Sequence, residues 1–195
     1  MPRFSEREKE RIRERLLGEG ERLFTANGLR KTTIDDLTEA VHIAKASFYT
    51  FYDSKESLYL DIVQRHQARI FSELETVLER NRSLPGRQRV RQVFTAMYGL
   101  MGQYPILAQI DEETMELITR KVPRERLTAF AGQNVDAVGV LERYGISFAC
   151  SRETASLAFL AVYRGWTGLQ GQRASVQAEV ADILLGSVID RIVAD

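Results

Sequence analysis

Cysteine is almost missing from these 195 residues. Cys150 is the single one, which excludes an internal disulfide and a zinc site built on several thiolates. Its only cationic neighbour in sequence is Arg152, so an inert thiol is the plainer reading than a redox switch. Histidine is nearly as scarce: His42 and His66 both lie far from any plausible catalytic partner in sequence. The chain also lacks a Gly-rich phosphate loop, an HExxH motif and a nucleophile elbow. No enzymatic activity, metal or cofactor is therefore expected. No apolar run approaches the roughly 20 residues that cross a bilayer, so no membrane partner is expected either. The opening Met1-Pro2-Arg3-Phe4-Ser5-Glu6 carries mixed charge where a secretion signal carries an apolar core, and a reducing cytoplasm is the expected setting. An excess of charge of one sign is missing too, since 27 Lys and Arg balance 27 Asp and Glu. That balance argues against a general nucleic-acid coater. It leaves room for a sequence-specific binder that gathers its cations on one face.

What is present is helical periodicity, with 44% hydrophobic residues to supply a core. Strand signals are weak. The expected fold class is all-α, with about nine helices: a three-helix head over 1–53 and a helical body over 54–195. The first helix is expected over 5–27, with Ile12, Leu16, Leu23 and Phe24 on one stripe and Asn27-Gly28 as its stop. Its charges alternate, from Arg3, Arg7, Lys9 and Arg11 to Glu6, Glu8, Glu10 and Glu14. That is the pattern of a solvated helix, although Arg3 or Arg7 is placed to reach a minor groove. A second helix opens after Thr32-Thr33, where Asp35 and Asp36 stand at capping-box spacing, and it buries Ile34, Leu37 and Val41. A third is expected over 44–52, and a long fourth from Ser54 to about Arg80, with acids near its positive end. Beyond it Pro85, Pro105 and Pro123 punctuate helices expected over 86–103, 106–120 and 124–144, followed by 151–171 and 175–195.

The informative stretch runs from Thr33 to Leu58. Two helices joined by about three residues, the second short and polar on one side, form the helix-turn-helix pattern, whose second helix fits the major groove. On that second helix Lys45, Ser47, Tyr49 and Thr50 are placed to point outward, while Ile43, Phe48 and Phe51 are placed to pack. An amine, hydroxyls and a phenol on one short helix are groups that contact phosphates and base edges. Lys55 and the pair Arg30-Lys31 add cations beside them.

Residues 16–60 resemble the DNA-binding domain of the tetracycline-repressor (TetR) family of bacterial regulators. The match is carried by Leu16-Leu17, Leu23-Phe24, Gly28, Thr32-Thr33, Leu37 and the run from Ile43 to Tyr49. Phe51-Tyr52, Ser54-Lys55-Glu56 and Leu58 continue it. The resemblance implies phosphate contacts from Thr33 and Tyr49, a backbone anchor at Lys55, and base contacts from Lys45 and Ser47. Phosphate contacts set affinity and register, and base contacts set sequence choice. Three departures stand out. His42 and Ala46 replace glycines that the family often carries at the turn and the recognition helix. Gly18 and Gly20 sit inside the first helix where larger residues are more usual, so a close helix contact there would be the reason to keep them.

Family resemblance also implies a body that pairs with a second subunit and binds an effector. For pairing, the expected residues are Ala158 and Val162 with Val176, Val180, Ile183, Leu184 and Val188; the alternative is that these stripes face the subunit's own core. For the effector, Phe94, Met97, Tyr98, Met101 and Tyr104 follow helical spacing, with Phe130, Tyr163 and Trp166 placed to close a cavity; ordinary core is the alternative. Asp111, Glu112, Glu113 and Glu116 read as a solvated face rather than a site for a cationic ligand, and His66 as a packing or surface residue. The expected function is a ligand-responsive repressor. As a homodimer it binds a palindromic double-stranded DNA operator, with recognition helices about 34 Å apart. A small, largely apolar effector, still to be identified, releases it by moving the helix over 54–80.

Overall fold

The computed structural model describes residues 4–133, 137–169 and 171–194; Arg3 lies outside them. The described residues form eleven α-helices and one isolated β-bridge, between Phe148 and Val193. Helix α1 (Glu6–Lys31) opens with a capping box: Ser5 Oγ accepts from the Glu8 amide at 3.3 Å, and the Glu8 carboxylate accepts from the Ser5 amide at 2.8 Å. Gly28, at φ 76°, interrupts the helical backbone where Asn27-Gly28 predicts a stop. Only glycine takes such a φ without a Cβ penalty. Helices α2 (Ile34–Val41), α3 (Lys45–Phe48) and α4 (Lys55–Arg80) follow. The third is shorter than the expected 44–52, its end winding into tight turns as the amides of Phe51 and Tyr52 both bond to the Phe48 carbonyl.

Two further expectations need correction. The helix expected over 106–120 is broken into α6 (Pro105–Ala108) and α7 (Glu112–Lys121). Asp111 starts the second piece, its carboxylate accepting from the Thr114 amide at 2.8 Å. An aspartate satisfies a free helix-end donor better than it sits mid-helix, and the local cap wins. The stretch expected as one helix over 124–144 is α8 (Arg124–Gln133) and α9 (Ala137–Arg143), with 134–136 outside the described residues. Helices α5 (Gly86–Met101), α10 (Arg152–Gly168) and α11 (Ala174–Ile192) lie within a few residues of their expected bounds.

Close contacts divide the chain into two compact units, 1–69 with 103–133 and 70–102 with 134–195, and α4 has residues in both. In the first unit Leu16, Phe24, Leu37, Phe48, Leu58 and Tyr59 are fully buried. The Asp61 carboxylate bonds Arg13 at 3.2 Å and also Arg126, tying α1, α4 and α8 together. Helices α6 and α7 pack on α1. The Gln109 amide donates to the Thr25 carbonyl at 2.8 Å, and Arg30 pairs with Glu113 at 2.7 Å. The second unit packs α5, α9, α10 and α11 around Val90, Phe94, Phe159, Leu185 and Ile189. No helix of the described residues is long and apolar enough to cross a membrane.

The two α1 glycines have different explanations. A Cβ on Gly20 would come within 3.1 Å of Leu58 Cδ2 and 3.2 Å of Ile62 Cδ1, so this glycine admits α4. Around Gly18 nothing lies within 4 Å. Gly18→Ala is therefore expected to raise unfolding stability by about 1 kcal/mol through helix propensity. Gly20→Leu is expected to lower it by about 1–3 kcal/mol through overpacking. Urea denaturation followed by circular dichroism checks both, and equal effects at the two positions would contradict the assignment of Gly20 to the helix contact.

Candidate nucleic-acid interface

The geometry begins at the two ends of α2. At its start, Thr33 and Asp36 form a full capping box: Thr33 Oγ1 accepts from the Asp36 amide at 3.1 Å, and the Asp36 carboxylate accepts from the Thr33 amide at 2.8 Å. The Thr33 hydroxyl, which also donates to that carboxylate at 2.7 Å, and the Thr33 amide hold the Asp36 carboxyl below the usual carboxylate range. At its end, His42 occupies the left-handed region at φ 56° and ψ 51°, and the Ile43 amide reaches back to the Thr38 carbonyl at 3.0 Å. Histidine is among the residues that tolerate this backbone, so the turn forms without the family's usual glycine.

That turn delivers α3, where Phe48 is fully buried and Tyr52 is 3% exposed. Their rings lie 6.0 Å apart. Burial pushes the Tyr52 hydroxyl up to about 12, and the Arg13 guanidinium sits 5.8 Å from its ring. With Phe48 and Tyr52 inward, Lys45, Tyr49 and Thr50 are exposed while Ser47 and Phe51 are half-buried. Tyr49 packs edge-on against Phe48 at 5.7 Å and remains 54% exposed. The Lys45 ammonium hydrogen-bonds Asp35 at 2.8 Å, which raises its pKa.

Lys55 behaves differently from the expected DNA-backbone anchor. Its ammonium donates to the carbonyls of Leu29, Arg30 and Thr32 at 2.8, 3.1 and 2.7 Å. An ammonium has three donors, so all are committed inside the fold. Lys55 closes the end of α1 against the start of α4.

Thr33, Lys45, Tyr49 and Lys55 nevertheless line one open cleft of about 590 Å³, with Asp35, Asp53, Ser54 and Glu56. Ser47 and Thr50 lie outside its lining. A further lysine lines it that the helix-turn-helix pattern does not contain: Lys121, the last residue of α7. No local signal marks it, because its place depends on α7 packing against α1.

The expected effector residues divide between the two units. In the second, Tyr98 stacks on Trp166 at 4.9 Å, Tyr163 lies 6.3 Å from Trp166, and Phe94 meets Tyr98 and Phe159 at 6.3 and 4.7 Å. Met97 and Met101 are half-buried. The Tyr98 hydroxyl is buried with no hydrogen-bond partner among the described residues, and burial pushes its pKa up to about 12. Tyr104 and Phe130 belong to the first unit; the Tyr104 ring lies tilted against the buried His66 at 4.4 Å, and His66 Nε2 lies 2.9 Å from Glu21. Asp111 is spent as a cap, while Glu112, Glu113 and Glu116 are exposed. Cys150 is half-buried and free.

Of the expected pairing residues, Ile183 (60%) and Leu184 (39%) are exposed. Ala158, Val176, Val180 and Val188 are half-buried. Val162 is 3% exposed and faces its own unit's core, a correction that follows from its place beside Phe159 on the inner side of α10. Two exposed leucines of α10 that the periodicity did not single out, Leu157 (58%) and Leu160 (41%), stand out instead.

Residues 16–62 match the bacterial regulatory proteins of the tetR family. The HTH-type transcriptional repressor DhaR of Mycobacterium sp. is 27% identical over 86 residues, 44% of this chain and 43% of that protein. The HTH-type negative regulator of the biofilm operon icaADBC, IcaR of Staphylococcus epidermidis, is 36% identical over 53 residues, 27% of this chain and 29% of that protein. The chain thus matches less than half the length of either relative. Among solved structures, a TetR-family transcriptional regulator of Haemophilus influenzae aligns with 95% of this chain and 98% of its own, at 15% identity and a TM-score of 0.55. The head is a helix-turn-helix of the tetR type, and the remainder has the all-helical fold of those regulators. Family likeness is thus carried by residues 16–62, and the rest of the chain shares the fold alone.

Lys55→Met keeps the aliphatic stem and removes the ammonium from three carbonyls. It is expected to cost about 1–3 kcal/mol of stability, the scale of losing hydrogen bonds to a charged group. Urea denaturation measures this, and an unchanged midpoint would mean that water replaces the ammonium without loss.

Proposed function

We propose that this protein is a cytoplasmic transcriptional repressor that binds a palindromic DNA operator as a homodimer and is released by a small, largely apolar effector. The observation that carries this reading is the convergence of Thr33, Lys45 and Tyr49 on one open cleft beside an exposed recognition segment. Tyr49 presents an exposed hydroxyl to a phosphate oxygen, and Thr33 reaches one by giving up the hydrogen bond that its hydroxyl donates to Asp36 at 2.7 Å. Lys45 and Ser47 face bases, Lys45 exchanging its surface partner Asp35 for the groove at little cost, because exposed ion pairs are weak. The sign of regulation follows the two relatives, named as a repressor and a negative regulator.

Pairing is assigned to α10 and α11, which pack on each other and leave Leu157, Leu160, Ile183 and Leu184 exposed. Four large aliphatic side chains on two neighbouring helices are a cost in water that a second copy removes. The effector is assigned to the stack of Phe94, Tyr98, Tyr163 and Trp166, where the unpartnered Tyr98 hydroxyl offers one hydrogen bond in an otherwise apolar setting. Helix α4 has residues in both units and is the covalent path by which the effector acts on the head. Release requires that the effector fit one body conformation better than the other, since only differential affinity shifts the balance.

Site selection from fragmented genomic DNA, followed by fluorescence anisotropy, is expected to yield a near-palindromic site. Tyr49→Ala is expected to weaken binding to it by about tenfold or more, the scale of one hydrogen bond to a charged group. No enriched site would overturn the DNA-binding reading. Separately, sedimentation is expected to give twice the 22.2 kDa chain mass for the wild type and the single mass for Leu160→Glu combined with Ile183→Glu. A variant that remains a dimer would move the interface elsewhere.

A further inference from the structure

We propose that Lys121 is a DNA-phosphate contact of the same interface, supplied by a helix outside the helix-turn-helix. This rests on the DNA-binding reading above and adds a residue that the family resemblance does not reach, since the matched segment ends at residue 62.

The argument is an accounting of cations. Three lysines line the cleft that holds Thr33 and Tyr49. Lys45 is neutralised by Asp35 at 2.8 Å. Lys55 spends its three donors on backbone carbonyls. Nearby Arg30 bridges to Glu113 at 2.7 Å. Lys121 is exposed and has no ion pair or hydrogen-bond partner for its ammonium among the described residues. The cleft also carries Asp53 and Glu56, which repel an approaching phosphate, and among the described residues Lys121 is the lining cation without a partner that offsets them.

Its placement is not left to chance. The residues on either side of the last turn, Ile118 and Val122, are 2% and 5% exposed, and the Val122 amide bonds the Ile118 carbonyl at 2.9 Å. The first turn of α7 is held to the end of α1 by the pairing of Arg30 with Glu113. A fixed backbone thus carries a flexible stem with a compact point charge, which suits a phosphate rather than a base edge. Lys121 then contributes affinity and register and carries no sequence information.

The test is the salt dependence of binding to the site selected with the full-length protein. One lost phosphate contact lowers the slope of log affinity against log salt by about 0.9. The homodimer has two such contacts, so the slope of Lys121→Ala is lower by about 1.8, and between 50 and 200 mM salt the wild type is expected to lose about 12-fold more affinity than the variant. Lys121→Arg is expected to restore the wild-type slope. Arg120→Ala, whose neighbouring cation pairs with Glu116 at 3.9 Å, is expected to leave it unchanged. The preferred sequence is expected to be identical in all of them. A wild-type slope in Lys121→Ala, confirmed folded by circular dichroism, would overturn the proposal, and so would an equal drop in Arg120→Ala, which would reveal a general charge effect. Neither result touches the DNA-binding reading, which stands or falls on whether the wild type selects a site and Tyr49→Ala weakens it.

Discussion

One ammonium group holds the head in its working form. Lys55 opens α4, yet its three donors end on carbonyls of residues 29, 30 and 32, where α1 gives way to α2. Those carbonyls have no partner within their own helix, and a buried end without partners is costly. By closing them, Lys55 fixes the spacing between the Thr33 cap and the start of α4. Everything between the two is short. Helix α3 has four residues, far below the length at which a helix is stable by itself. Its pose is inherited from the His42 turn before it, from Phe48 and Tyr52 beneath it, and from the α4 start that Lys55 secures. The exposure of Lys45 and Tyr49 is a consequence of that frame.

Local chemistry made much of this legible in the sequence. A threonine three residues before an aspartate, a glycine after asparagine and a histidine in a tight turn each act within a few residues, so sequence suffices to read them. The hydrophobic periodicity of α1 and α2 likewise marks the buried side, with Ile12, Leu16, Phe24, Leu37 and Val41 all buried. What escaped depends on residues distant in the chain. Lys55 reads as a surface cation until Leu29, Arg30 and Thr32 are placed beside it. Lys121 carries no local signal and comes to the cleft only because α7 lies against α1. The break at residues 109–111 also escaped: Asp111 reads as part of an acidic face inside one helix, and its role as a cap shows only once its carboxylate meets the Thr114 amide.

The second unit poses the opposite problem, because aliphatic and aromatic stripes look alike whether they face inward, a partner or a ligand. Periodicity placed Val162 with the pairing residues, and it is core; it passed over Leu157 and Leu160, which are exposed. Small neighbours decide such cases. A Cβ on Gly165 would come within 3.3 Å of Leu184 Cδ1, so this glycine brings α10 and α11 together and sets which side chains remain outside. The aromatic stack shows a related ambiguity. Ring packing alone is ordinary core, whereas a buried hydroxyl without a partner at Tyr98 has an unmet hydrogen bond, and that is the feature an effector would exploit.

The central claim, that Lys55 is an internal fastener while the neighbouring lysines meet DNA, is open to direct observation by NMR of the lysine ammonium groups. In the free protein the Lys55 ammonium is expected to give a resolved, slowly exchanging signal, because its protons are held by three carbonyls, and that signal is expected to persist when operator DNA is added. The exposed Lys45 and Lys121 ammonium groups are expected to exchange rapidly in the free protein and to become visible only on the DNA. A Lys55 signal that is absent from the free protein and emerges with DNA would contradict the account, since it would make Lys55 a phosphate contact and leave the end of α1 to some other partner.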